Sequence, residues 1–235
     1  MYNSLTRIQN VFGFFTTVAF VVAAFIAASD FTYDRTPSAH IKTTNVQVVK
    51  GRPHYYSTKK EEYAIMKFSL DADLSSLFTW NTKQVFVYVT AEWTSPPSSS
   101  ASAKSASATN QTNSAVIWDS IITAPSSDHL ANIGPATLKK LRKSAAGKAV
   151  DPKRGLLSLK NQRPKYQITH PTGRIAETGD VRLRVHYNVQ PWVGFLTWSQ
   201  TEHDFGRWLR MKDGMSRAFT LPAVKKKDEG KKAKA

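Results

Sequence analysis

The sequence predicts a mainly β protein: a single N-terminal transmembrane helix followed by an antiparallel β-sandwich-like domain. Three observations predict it. Val11 to Ala28, VFGFFTTVAFVVAAFIAA, carries no charged residue. Several later segments alternate apolar and polar residues with period two, most strictly at Val181–Val189. No long amphipathic helix stands out after the apolar stretch, and a short one through Ala136–Ser144 is the exception.

The apolar stretch comes first. At about 1.5 Å per residue it makes a helix of roughly 27 Å, close to the hydrocarbon thickness of an endoplasmic reticulum bilayer. An uncleaved signal anchor and a cleaved signal peptide both begin this way, and Ala27 and Ser29 could frame a small-x-small cleavage site. The length favours the anchor, because signal-peptide cores usually run to about 7–15 residues. Arg7 lies on the N-terminal side, whereas Asp30, Asp34 and Arg35 nearly cancel on the other. The positive-inside bias therefore keeps residues 1–10 in the cytosol and sends the C-terminal domain across. Ala19, Ala23 and Ala27 recur at i+4 and form a small face for packing against another helix. Tyr2, Phe31 and Tyr33 suit the two membrane interfaces.

Composition bounds the rest of the chain, which has 235 residues in all, no cysteine and a net charge of +16. One domain of this size can be held by its core without disulfides. Cysteine nucleophiles and cysteine-ligated zinc or iron–sulfur sites are excluded. The basic excess concentrates at Lys139–Lys143, Lys148–Arg154 and the tail from Lys225, as solvated loops and tails do. On a membrane anchor this charge would meet anionic lipid or an acidic protein, not nucleic acid.

The domain is expected over residues 29–222, with a basic disordered tail at 223–235. In Val181–Val189, Val181, Leu183, Val185, Tyr187 and Val189 face one way, against Arg182, Arg184, His186 and Asn188. Tyr63–Leu70 sets Ala64, Met66, Phe68 and Leu70 against Ile65, Lys67 and Ser69. Val85–Trp93 begins apolar on both faces, as a central strand covered on both sides would. Val116–Ile122 is another strand, with weaker ones at Ile41–Val49 and Tyr166–Thr169. Between two strands Asp73 caps a helical turn whose Leu74, Leu77 and Phe78 share a face. Two loops read as insertions. One, at 94–114, is rich in Ser, Ala, Pro and Thr, is expected to be mobile, and carries the sequon Asn110-Gln111-Thr112. The other, at 131–162, is basic and weakly patterned.

The search for chemistry returns little. Six histidines form neither an HExxH motif nor an HxxxH pair. No GxxxxGK[ST] loop and no G-x-S-x-G elbow occurs. Counting alone leaves a Ser–Lys pair open, yet no serine lies in an apolar, glycine-flanked setting. The six tryptophans suit a core, with some at a protein interface.

The stretch Trp80–Trp93, WNTKQVFVYVTAEW, reads W-N-x-K-Q, then an alternating apolar strand, then A-E-aromatic. FSLDADLSSLF (Phe68–Phe78) precedes it, AVIWDSII (Ala115–Ile122) comes after it, and Val181–Leu196 ends in N-V-x-P-x-x-G. Together these resemble the signal peptidase complex subunit 3 family, the lumenal accessory subunits of the microsomal signal peptidase. The resemblance covers Met1–Trp93, Ala115–Ile122 and Val181–Leu196. It implies a non-catalytic, single-pass type II protein of the endoplasmic reticulum membrane with a lumenal C-terminal domain. It implies no cofactor, no metal and no nucleic acid. The implied partners are the catalytic subunit and other small membrane subunits, with the translocon as a further partner. Trp80, Asn81, Lys83, Gln84, Glu92, Trp93, Trp118, Asn188, Pro191 and Gly194 are the structural or interface residues it singles out. The catalytic subunit has a serine in an S-M setting, whereas this chain has Gly214-Met215-Ser216, the reverse order. The long Ser/Ala loop, the basic segment and the Lys-rich tail depart from the family pattern. In some relatives the sequon falls near Gly179–Val181, so only the local N-Q-T supports Asn110. Two other readings stand beside this one. The first is a secreted or lumenal β-sandwich binding protein or hydrolase with a cleaved signal peptide. The second is a basic nucleic-acid-binding protein.

Overall fold

The computed structural model describes residues 3–52, 56, 58–94, 112–124, 152–170, 172–198 and 204–225. A helix, α1 (Ser4–Ser29), leads into two antiparallel sheets. α1 begins before the apolar stretch, because the amides of Thr6 and Arg7 donate to the Asn3 carbonyl and start the helix at Ser4. None of its residues is buried within the protein. Its two central polar residues are satisfied internally: the Thr16 and Thr17 hydroxyls donate to the Gly13 carbonyl at 2.8 and 2.9 Å. This is how a hydroxyl survives in hydrocarbon.

The first sheet runs β1 (Ser38–Gly51), β2 (Glu61–Asp73) and β5 (Leu156–Gln162), with β6 (Ile168–Thr169) pairing β2 further along. The second has the order β4 (Thr112–Thr123), β3 (Thr82–Thr94), β7 (Arg182–Pro191), β8 (Thr197–Trp198). Ala64, Met66, Phe68 and Leu70 of β2 are buried in one core with Val85, Val87 and Val89 of β3 and Leu183, Val185, Tyr187 and Val189 of β7. The alternation in the sequence thus marks the faces of β2 and β7 that turn inward. β3 corrects one expectation. It is central in its sheet, but its outer face is only half-buried. There Phe86 stacks on Tyr88 at 5.5 Å, and Tyr88 on His186 at 4.9 Å. Between Val89 and Thr90 the β3–β4 register slips, so that consecutive residues Ile117 and Trp118 of β4 are both buried. The carbonyl freed at Ile117 accepts from the Lys165 and Tyr166 amides.

The capping expectation holds at Asp73. Its Oδ1 accepts from the Ser75 amide at 3.0 Å and from the Ser75 hydroxyl, ahead of a 3₁₀ turn at Ser75–Leu77 that buries Leu74, Leu77 and Phe78. Three boundaries are corrected. Residues 156–162, inside the stretch read as a basic and weakly patterned insertion, form β5, whose Leu157 and Leu159 pack on the core. Gly155 makes the approach possible: a Cβ there would lie 2.3 Å from the Ser75 nitrogen. Residues 112–114, assigned to the Ser/Ala loop, begin β4. Val224 and Lys225, assigned to the tail, pair with Val48. The expected strand Tyr166–Thr169 shrinks to Ile168–Thr169. Asn110, Ala136–Ser144, Lys139–Lys143 and residues 226–235 lie outside the described residues.

The segment 204–225 was not anticipated as an element. It bridges β1 at Ser38 and Val48, β7 at Arg184, and Val181 just before β7. One strap therefore bridges the β1 edge of one sheet and the β7 side of the other, so that neither of these two is fully open to another chain.

Candidate functional site: the junction of helix and sandwich

The two motifs quoted from the sequence meet at one place. Trp80 and Asn81 precede β3, and Pro191–Gly194 comes at the end of β7, its antiparallel neighbour in the sheet. The Asn81 side chain bonds Val193 of that loop through both of its polar atoms. Its Nδ2 donates to the Val193 carbonyl at 2.7 Å, and its Oδ1 accepts from the Val193 amide at 3.1 Å. Its own carbonyl accepts from the Trp192 amide at 2.8 Å. Lys83 places Nζ 5.4 Å from the Trp192 ring centroid, and Gln84 donates to Gln190 at 2.7 Å. Thr82 closes the preceding turn, its hydroxyl donating to the Leu77 carbonyl at 2.8 Å.

The pinned loop touches the helix. Gly194 has φ +132°, and a Cβ there would lie 3.4 Å from the Cβ of Ala27 and 3.7 Å from Pro191. Glycine is thus favoured here by its backbone angle, while a Cβ would sit in ordinary contact with α1. Asn188, buried, sits opposite Phe86 on one side and Trp198 on the other.

A second set of contacts lies just beyond the helix end. Asp30 and Arg35 form a buried ion pair, with Arg35 only 2% exposed. The guanidinium also donates to Thr197 Oγ1 at 3.0 Å and lies 4.0 Å from the Trp208 ring centroid. Trp208 stacks on Phe31 at 4.9 Å and 11°. Arg35 also exchanges backbone hydrogen bonds with the strap at Arg207 and Leu209. Arg207 in turn donates to the Thr32 carbonyl at 2.8 Å. One arginine therefore joins the helix exit, β8 and the strap. A buried pair of this kind is strongly destabilising to break, because removing one partner leaves an uncompensated charge.

Sequence reasoning missed Asp30, Arg35, Thr197 and Trp208. It counted the two charges only as a flank that cancels. A signal was present: opposite charges five residues apart, directly after an apolar helix, in a chain with tryptophans to spare.

Other predicted residues lie elsewhere. Trp93 and Trp118 are buried in the core, Trp118 edge-on to Phe68 at 6.1 Å, so of the two roles expected for them, structural or interface, they take the structural one. Glu92 sits near the far end of β3 on the outer face, 3.2 Å from Arg184 and 3.8 Å from His186 Nε2. His186 also meets the Thr90 hydroxyl at 2.9 Å. Burial pushes the neighbouring Tyr88 phenol above its ordinary value. This is a cross-strand polar ladder of the kind that stabilises a sheet face. Ala19 and Ala23 lie further back along α1, and Ala27 is the residue of the small face that lies beside Gly194.

Among the described residues no cluster of His, Asp and Glu could hold a metal ion. Ser216, the serine of the reversed Gly-Met-Ser, is buried. Its Oγ accepts from the Leu183 amide at 2.9 Å and donates to the Arg217 carbonyl at 3.0 Å. That hydroxyl ties the strap to β7.

A family model described as "Signal peptidase subunit" matches residues 1–137 and 150–207. The residues it skips, 138–149, fall inside the basic segment that reads as inserted. The chain is 30% identical over 209 residues to "Signal peptidase complex subunit 3" of Saccharomyces cerevisiae, covering 86% of this chain and 92% of that one. It is 31% identical over 196 residues to the protein of the same name from Caenorhabditis briggsae, covering 83% and 87%. With the Drosophila melanogaster protein of that name it shares 29% over 164 residues, 69% of each chain. The matched residues include those that meet at the junction, and the chain belongs to the signal peptidase subunits, among the relatives named signal peptidase complex subunit 3.

Proposed function

We propose that the chain is a non-catalytic accessory subunit of the endoplasmic reticulum signal peptidase complex. α1 spans the membrane once, residues 1–10 face the cytosol and the sandwich stands in the lumen. It supports the catalytic subunit while that subunit removes signal peptides from nascent secretory proteins. The observation that carries this reading is the junction. Family motif residues Asn81, Lys83, Gln84, Pro191 and Gly194 fix a loop against Ala27, so the sandwich is held at the helix exit. A domain locked there can present a fixed surface to a partner working at the membrane face. Ala19 and Ala23 leave a small face on α1 for helices of the catalytic and other small membrane subunits. The translocon is a further partner.

The same junction disfavours a cleaved signal peptide. Cleavage after Ser29 would remove Ala27 from Gly194 and open the buried Asp30–Arg35 pair to water. The engaged hydroxyl of Ser216 supports the non-catalytic role. The test is affinity purification of a C-terminally tagged chain from gently solubilised membranes, with mass spectrometry of the recovered proteins. Recovery of the catalytic subunit in near-stoichiometric amount is expected; an intact, membrane-bound chain that recovers none contradicts the proposal. A lumenal sandwich also predicts that Asn110 is glycosylated, read as an endoglycosidase-sensitive mobility shift that Asn110→Gln abolishes.

A further inference from the structure

The tryptophans divide by place. Trp93, Trp118 and Trp208 are buried, whereas Trp80, Trp192 and Trp198 are 55%, 38% and 60% exposed. All three exposed ones lie at the end of the sandwich that α1 enters. Trp80 adjoins Asn81, Trp192 lies in the loop that Asn81 holds, and Trp198 is next to Thr197, which bonds Arg35. Phe195, 77% exposed, sits between Gly194 against Ala27 and Thr197 against Arg35. Phe205, also exposed, faces Phe31 with centroids 6.3 Å apart. The opposite end lies roughly 40 Å away at about 3.3 Å per strand residue. It presents Lys60, Glu61, Asp180 and Arg182, and among the described residues no tryptophan is exposed there.

We propose that this aromatic collar is seated in the headgroup–acyl boundary of the bilayer, so that the sandwich rests on the membrane rather than standing clear of it. The inference rests on the reading of α1 as a membrane span. The contact of Gly194 with Ala27, on the last turn of the apolar stretch, puts the collar at the depth where that stretch leaves the hydrocarbon. Exposed aromatic area is costly in water, and Trp favours that boundary because its body is apolar and its N–H is a donor. Lys83 beside Trp192 places a cation among the collar residues, where lipid phosphates would meet it.

The chain has no cysteine, so single labels need no background removal. The experiment places a nitroxide at F195C, W198C, F20C or K60C in the full chain, in phosphatidylcholine nanodiscs. Power saturation then compares access by oxygen with access by an aqueous nickel chelate. The expected oxygen-to-nickel ratio at F195C and W198C is several-fold above K60C and below F20C. If both match K60C while F20C is in hydrocarbon, the collar stands in water and the proposal is overturned. If F20C itself is aqueous, the membrane-span reading falls and takes the collar with it. If, in the assembled complex, the collar labels lose access to both reagents, a protein partner covers them instead of lipid and the bilayer is the wrong occupant.

Discussion

Two Asp–Arg pairs lie at opposite ends of the sandwich, and they are built differently. Asp30–Arg35, at the helix end, is buried, and through Arg35 reaches Thr197 and Trp208 across more than 160 residues of sequence. Asp180–Arg182, at the far end, is about half-exposed and joins neighbours two residues apart. The first is part of a joint; the second decorates a surface. The same contrast runs through the surroundings. The near end is cross-tied by the side chains of Asn81, Gln84 and Arg35 and carries exposed aromatics. The far end has its own side-chain ties, Glu92 with Arg184 and Glu62 with the Ile175 and Ala176 amides, but among the described residues no exposed tryptophan. The difference teaches that Asn81, Gln84 and Arg35 serve the attachment of the sandwich to its helix, whereas Trp93 and Trp118 serve the sandwich itself.

The sharpest way to break the comparison is to remove both arginines in turn. Arg35→Ala should lower stability by about 3–5 kcal/mol, because Asp30 is left charged and buried. Arg182→Ala should cost well under 1 kcal/mol, as exposed pairs do. Chemical denaturation of the detergent-solubilised chain measures both, and similar losses would erase the distinction. Next is Asn81→Ala, which removes two hydrogen bonds to Val193 and leaves its amide and carbonyl unpaired. About 2–3 kcal/mol is expected by the same measurement. Gly194→Ala should cost about 1–2 kcal/mol from its φ of +132°, read as a lowered midpoint. The smallest effect belongs to the polar ladder. Burial raises the Tyr88 pKa, so above about pH 10 the unfolded chain loses that proton before the folded one does. Stability is therefore lost as pH rises through the alkaline range. Tyr88→Phe should flatten that loss in denaturation midpoints measured from neutral to alkaline pH. An unchanged slope would mean that Tyr88 does not contribute.

The legible parts of the fold were those with a local period. The apolar run gave α1, and strict alternation gave the inward faces of β2 and β7. β5 was hidden because only Leu157 and Leu159 mark its inner face, within a basic and polar stretch. The strap was hidden because it pairs first with β1, then β7, then β1 again, so its side chains keep no single period. Trp93 and Trp118 carried no local mark separating core from surface, whereas Trp80 and Trp192 sit beside turn residues. The motif residues were readable one by one through the family resemblance. That Asn81 grips the loop ending at Gly194, and that Arg35 lies against Trp208, depends on contacts across more than a hundred residues, which no local pattern encodes.

The most direct test of the attachment account is quantitative recovery of the catalytic signal peptidase subunit on tagged wild type, Asn81→Ala and Arg182→Ala, each at matched membrane abundance. The account predicts near-stoichiometric recovery with wild type and Arg182→Ala and a clear loss with Asn81→Ala. Equal recovery on all three, with Asn81→Ala folded, would show that assembly does not depend on the junction and would contradict it.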